Sequence, residues 1–443
     1  MVATGRTLGL GYFDHPPAAW WMQWAAAHLF ATESPLAVRA PFIAMFALST
    51  WLMFRLGAAV AGPRAGLWAA IALTLSPVFG VTTGTWVLPD GPLDCALIGA
   101  ALCLIHALDE RATAWWAGAG LCAGLALFSK YTAILTIGGA VLYLIATPHR
   151  RWLARPQPYL AALLALAVFS PVIAWNAAHH WASFAFQGDR AVGLRFRPAQ
   201  PFIVLAGEAL FILPWIWVGL LTASFAGART WPSRLLCFLA APPIIVFSVI
   251  ALWSSGRVLY HWAAPGYLML FPLLGAWLAD RPRLATRAAS ATTIFVLLAL
   301  AVVCTQVRLD WLHGAFARDP DIEAIDWTSV RRDLDARGLL APGTIVGVPD
   351  WREAGKIAYA LGPDFTVTVL NEDARQFGLV APSRSFVGRD MLILAPEHAA
   401  RVLARLGPRF AHIEALAPAP IRAAGRTLAD VAVFRTGPLL ASR

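Results

Sequence analysis

Between Gly9 and Trp21 the chain reads GLGYFDHPPAAWW, which puts a carboxylate, Asp14, and an imidazole, His15, between an aromatic couple and two prolines. Pro16 and Pro17 forbid helical continuation through the pair and hold it in an extended turn. There Asp14 can bind a metal or orient a hydroxyl group, and His15 can contact a phosphate as a cation or shuttle a proton. A polar turn that caps the following helix would use the same residues. Four other stretches raise similar choices. WVLPDGPLD carries Asp90 and Asp94, which suit either a functional turn or a turn and the early, dipole-favoured end of a helix. LFSKYTA holds Lys130, a lone amine between apolar stretches, able to hold an anionic headgroup as a point charge or to snorkel.

WNAAHHWASFAFQGDR sets Asn176, His179, His180, Gln187, Asp189 and Arg190 among Trp and Phe rings, which fits sugar or lipid-phosphate recognition and also an ordinary interfacial belt. Adjacent His179 and His180 lack the further spaced ligands a metal needs. SSGRVLYHWAAPGY supplies Arg257, Tyr260 and His261; a guanidinium binds phosphate oxygens in a bidentate fork, and a snorkelling arginine is the alternative.

The elements that must position these residues are apolar. Of 443 residues 59% are hydrophobic and only 14% charged, against about 25% charged in soluble domains. Apolar stretches at about 35–61, 65–86, 92–108, 114–129, 131–147, 158–178, 201–226, 235–253, 262–279 and 288–307 predict a polytopic membrane protein with about ten crossings. The segment 16–31 is short and aromatic at one end and predicts an interfacial helix. The net charge of +10 is arginine-based, since Lys130 and Lys356 are the only lysines; it points to loop topology and membrane lipids as partners and not to nucleic acid. Cys95, Cys103, Cys122, Cys237 and Cys304 lie in apolar surroundings with no CxxC spacing, which predicts buried thiols.

The turns sort by charge. One alternate set carries Arg55 and Arg64, Arg111, Arg150, Arg151 and Arg155, Arg229 and Arg234, then Arg281, Arg283 and Arg287. The positive-inside rule assigns that set to the cytoplasm, so the turns holding Asp14, His15, Asp90, Lys130, His180, Arg190, Arg257 and His261 face outward, with everything after Thr305. From about Arg308 the pattern changes: DPDIEAIDWTSVRRDLDARG, REAGKIAYALG and PEHAARVLARLG read as helices, and TIVGV, FTVTVL, MLILA and VAVFRT as strands. This alternation predicts a small α/β domain, and with no GxGxxG or P-loop it gives no support for nucleotide binding. The expected organisation is an outer loop and interfacial helix over 1–34, a multi-span domain over 35–307 and an extracytoplasmic domain over 308–443. The recurrence of charge and aromatics in the outward turns points to one cavity at the membrane surface, lined for an anionic lipid-linked substrate.

Taken together, LGYFDHPP, VRAP (Val38–Pro41), LPDGPL, GLALFSKYTA, WNAAHHWASFAFQGDR and YHWAAPGY resemble the GT-C glycosyltransferases of the protein O-mannosyltransferase type, in particular the lipid A aminoarabinose transferases and rhizobial galacturonosyltransferases. AGKIAYALG and VLNEDARQFG resemble the outer domain of such proteins. The resemblance implies an all-α polytopic membrane domain followed by the small α/β domain, in a bacterial inner membrane. It implies transfer of a sugar from a polyprenyl-phosphate donor to a lipid, cell-envelope glycan or protein acceptor outside the cytoplasm, by an inverting displacement. Asp14 and His15 would be catalytic; Tyr12, Asp90, Lys130, His180, Arg190, Arg257, Tyr260 and His261 would bind substrate. No cofactor is required, no metal ligands are assigned, and the chemistry leaves room for a divalent metal. The family pattern also has a preceding helix and an Asp–Glu pair ahead of the YFDHPP motif, whereas MVATGRTLGLG contains no carboxylate; the expectation is a start internal to the full protein. A transporter of lipid-linked saccharides would instead show inverted repeats and midplane charges, and an inactive truncated relative would lack the base.

Overall fold

The structure, a computed structural model, describes residues 1–441 except 111, 192–195, 228–229, 255–257, 313–321, 323, 397–398 and 424; of residues 110, 190 and 191 only the backbone is described. It divides into two compact units: Leu8–Val296, and Met1–Thr7 together with Leu297–Arg443.

The larger unit is helical. In chain order it contains α1 (Ala18–Leu29), α2 (Pro35–Ala61), α3 (Pro63–Leu75), α4 (Asp90–Glu110), α5 (Thr113–Ser129), α6 (Ala133–Ala146), α7 (Gln157–Ala178), α8 (Ala182–Ala191), α9 (Gln200–Ile212), α10 (Pro214–Gly227), α11 (Trp231–Ile250), α12 (Ala264–Leu268), α13 (Phe271–Ala279) and most of α14 (Pro282–Leu309). Proline and capping residues set the boundaries. The Ser34 hydroxyl accepts from the Ala37 N–H with Pro35 in the first turn, and Gly62 ends α2 at φ +87°. Small residues let helices meet closely, as membrane helices do without a hydrophobic force between them. Gly120 and Gly124 of α5 face Ala161 and Ala165 of α7, and a Cβ on Gly120 would land on the Ala161 carbonyl.

Among the described residues five helices are long and apolar enough to cross a bilayer: Pro35–Ala61, Asp90–Asp109, Gln157–Ala178, Trp231–Ile250 and Pro282–Leu309. The figure is up to seven if two bent pairs each count as one span, fewer than the ten expected crossings. The physical reason is that breaks interrupt stretches that are continuous in composition. The stretch 65–86 divides at Ser76 and Pro77 into α3 and a π-helical turn, Val78–Thr83. The stretch 201–226 bends by 105° at Leu213, whose φ is +86°, and α6 turns by 101° into the 3-10 segment Pro148–Ala154. Thr113–Ser129 and Ala264–Ala279 are apolar but short.

The smaller unit contains α15 (Thr328–Ala336), β1 (Ile345–Val348), α16 (Trp351–Leu361), β2 (Thr366–Val369), α17 (Arg375–Val380), β3 (Leu392–Ala395), α18 (Ala399–Leu406), β4 (Ile413–Ala423) and β5 (Arg426–Thr436). The sheet order is β2-β1-β3-β5-β4, parallel through β3 and antiparallel beyond. Every residue of β1 and β3 is buried, because apolar clusters cover both faces of the sheet: one includes α15 and α16, the other α18 and Phe410. The helix expected from DPDIEAIDWTSVRRDLDARG is the shorter α15, and much of the stretch before it lies outside the described residues. The strand β4 was not expected from IEALAPAPIRA. Pro418 and Pro420 argue against a central strand, and β4 takes them at the sheet edge, where its register shifts between Leu416 and Ala419. Residues Met1–Thr7, expected with the outer loop, fold with this unit: the Arg6 guanidinium donates to the Ala358 and Gly362 carbonyls at 3.0 Å, closing the end of α16.

Candidate active site

Two helix termini build the centre of the site. LPDGPL breaks the chain and starts α4, so Asp90 stands in its first turn. LFSKYTA ends α5 at Ser129, and Lys130 leaves the helix in extended conformation (φ −155°, ψ 135°) before α6 begins. The two ends meet: Lys130 Nζ donates to Asp90 Oδ1 at 2.7 Å, with both side chains only 4% exposed. The lone-amine expectation for Lys130 is thereby corrected; the amine is half of a buried ion pair. One turn further along α4, Asp94 stands early in the helix, is also buried, and its Oδ2 accepts from the Thr83 hydroxyl at 2.8 Å.

The pair lies on the wall of a cavity of about 420 Å³. His15, Gln187 and His261 line it with Asp90 and Lys130, and Val246, Phe247, Ile250 and Trp262 supply an apolar side. His15 is placed by its turn, in which the Tyr12 N–H donates to the His15 carbonyl at 3.2 Å. Gln187, on α8, donates from Nε2 to the Asp14 carbonyl at 2.5 Å and so ties the DHPP turn to the α7–α8 corner. That corner is held by Asn176, buried, whose Oδ1 accepts from the Phe184 N–H, and by the bond between the Tyr131 and Ser183 hydroxyls at 2.8 Å.

Of the residues expected to act, His15, Asp90, Lys130 and His261 come together on this wall. Asp14 is half-buried beside His15 but is not among the lining residues. Tyr12 supports the loop instead: it is buried, stacked on Trp20 at 4.4 Å, and its hydroxyl accepts from the Gly9 N–H. Burial pushes its phenol above the ordinary range, against a smaller lowering by that N–H. His180 sits exposed at φ +54° and Tyr260 packs against Gly207 and Phe211; neither lines the cavity. Arg257 lies outside the described residues, as does the side chain of Arg190. Among the described residues no three His, Cys, Asp or Glu side chains come together to hold a metal.

Sequence reasoning passed over Glu208, whose single charge in PFIVLAGEALFIL was the available signal; it is buried, and its Oε2 accepts from the Tyr267 hydroxyl at 2.8 Å.

Comparison with known proteins agrees with this architecture. ArnT from Cupriavidus metallidurans in the apo state superposes with a TM-score of 0.66 at 17% identity, over 96% of this chain and 88% of that one. The same protein bound to undecaprenyl phosphate gives the same TM-score over 98% and 90%. The chain shares the fold of these ArnT structures. Residues 14–175 match the family model of the dolichyl-phosphate-mannose-protein mannosyltransferases. The undecaprenyl phosphate-alpha-4-amino-4-deoxy-L-arabinose arabinosyl transferase 1 of Sodalis glossinidius is 30% identical over 286 residues, 59% of this chain and 49% of that protein. The lipid A galacturonosyltransferase RgtD of Rhizobium johnstonii is 24% identical over 288 residues, 62% of this chain and 58% of that protein. The chain thus matches about half the length of these relatives. The cavity and the ion pair lie at the junction of the LPDGPL and LFSKYTA motifs.

Proposed function

We propose that the chain is a membrane glycosyltransferase that moves a sugar from a polyprenyl-phosphate donor to a lipid, glycan or protein acceptor on the extracytoplasmic side. The observation that carries the reading is the buried Asp90–Lys130 pair on the wall of a cavity shared with His15 and His261. A buried ammonium is costly unless paired, and a site that leaves it beside an open cavity suits an anionic ligand. An ammonium has three N–H donors, so the bond to Asp90 does not saturate it. The proteins of similar sequence and fold support the donor class, one of them having been solved with undecaprenyl phosphate.

In this reading the acceptor hydroxyl oxygen attacks the anomeric carbon of the donor sugar. The bond from that carbon to the phosphate oxygen breaks, and its electron pair leaves with the polyprenyl phosphate. The hydroxyl proton goes to the Asp14 carboxylate. Lys130, with His15 and Arg257, stabilises the charge developing on the phosphate, while Asp90 orients Lys130. The experiment is transfer from radiolabelled polyprenyl-phosphate sugars by membranes containing the protein. Transfer is expected, and Lys130→Ala and Arg257→Ala each abolish it. Near-normal rates in both variants overturn the phosphate assignment, and no transfer to lipid, glycan or protein acceptors overturns the enzyme reading in favour of transport or an inactive relative.

A further inference from the structure

A second cavity, of about 280 Å³, lies elsewhere in the helical unit, between α3, α10, α13 and α14. Its walls are almost wholly apolar and include Trp68, Trp215 and Trp277. Trp215 is fixed by a 2.9 Å bond from its indole N–H to the Thr292 hydroxyl, which ties α10 to α14 across the cavity wall. On α14 the lining residues run from Leu284 to Thr292, about 12 Å of helix. Only 6% of the most apolar window of α14 is buried, so its other side is free to meet lipid.

Charge marks one end of this cavity. The lining face of α3 (Trp68, Ile71, Ala72, Leu75) continues one turn back to Arg64, and that of α14 continues one turn back to Arg281. The helices α3 and α13 run antiparallel: Phe271 meets Phe79, whereas Gly275 packs on Ala65 and Ala69. Arg64 and Arg281 therefore stand at the same end. Arg281 is held there, its guanidinium 4.4 Å over the Trp277 ring and donating to the Trp277 carbonyl at 2.8 Å. Arg64, Arg281, Arg283 and Arg287 are all exposed, with Asp280 as the acidic neighbour in the same turn.

An apolar slot inside a membrane unit, with two exposed arginines one helical turn beyond its lining at the same end, suits a bilayer phospholipid with a phosphodiester headgroup and net negative charge. We propose that this cavity binds an anionic phospholipid, one acyl chain filling the slot and the headgroup phosphate held by Arg64 and Arg281. The site is separate from the one assigned to the sugar donor, since the two cavities share no lining residue.

The test is native mass spectrometry of the full chain, purified in detergent and titrated with phosphatidylglycerol or with phosphatidylcholine of identical acyl chains. Phosphatidylglycerol should be retained about tenfold more tightly. Arg64→Ala/Arg281→Ala should bring the two lipids to equal retention while leaving the melting temperature and sugar transfer unchanged. Ala288→Leu, which fills the slot, should weaken retention of both lipids; if that variant fails to fold, the arginine pair still decides. Equal retention by the unaltered protein overturns the proposal, as does a preference that survives loss of both arginines. Displacement of phosphatidylglycerol by stoichiometric undecaprenyl phosphate overturns it too, because the slot would then belong to the donor.

Discussion

Lys130 and Asp90 are forty residues apart in the chain and 2.7 Å apart in space, and this contact decides how each can be tested. Lys130→Met alone leaves a buried carboxylate without its cation, which should cost about 3–5 kcal/mol and appear as a large fall in melting temperature. Asp90→Leu combined with Lys130→Met should recover most of that stability and none of the transfer activity. Recovery of both would show the pair to be structural. Asp14→Asn belongs to a different class: it keeps shape and removes a proton acceptor, so kcat should fall by about 10²–10⁴-fold with donor binding retained. The residue types were legible in the sequence, because charges are rare in so apolar a chain. The pairing was not, since nothing in LPDGPL or LFSKYTA says that the start of one helix faces the end of another. Glu208 escaped because it is a single charge inside an apolar stretch that reads as one span, away from the turns that drew attention to the other motifs.

At the scale of elements, the chemistry depends on where helices stop. Lys130 is available because α5 ends at Ser129, and Asp90 because α4 starts there. The α5–α7 contact keeps the first of these ends in place, and even Gly120→Ala should be damaging, because a Cβ there meets the Ala161 carbonyl oxygen and the helices must move apart. Loss of transfer together with a lowered melting temperature for the alanine variant, measured by thermal-shift assay in detergent, checks this. Composition located the apolar stretches well but could not show that Leu213 or Pro148 turns a helix through a right angle, because such bends are fixed by packing and not by hydropathy. The edge strand β4 was invisible for the opposite reason: its prolines are read as breakers, and only its place at the rim of the sheet makes them harmless.

At the scale of the molecule, the first seven residues and the last part of the chain form one fold, with the helical unit inserted between them. Arg6 is the visible clasp, and Ala3 packs against the apolar cluster of the sheet. Arg6→Ala should release two carbonyls at the end of α16 at a cost of about 1–3 kcal/mol to that unit. Hydrogen exchange in the full chain should then quicken over 358–366 and stay unchanged over 120–128. The same clasp carries an arithmetic consequence. Residues 1–7 and the sheet that they join must occupy one aqueous compartment, so the polypeptide between Leu8 and Leu309 leaves and returns to the same side of the bilayer. The number of complete passes in that interval is therefore even. Five is odd and so is seven, so an even count requires either that one of these helices stop short of a full crossing or that a further segment cross as well.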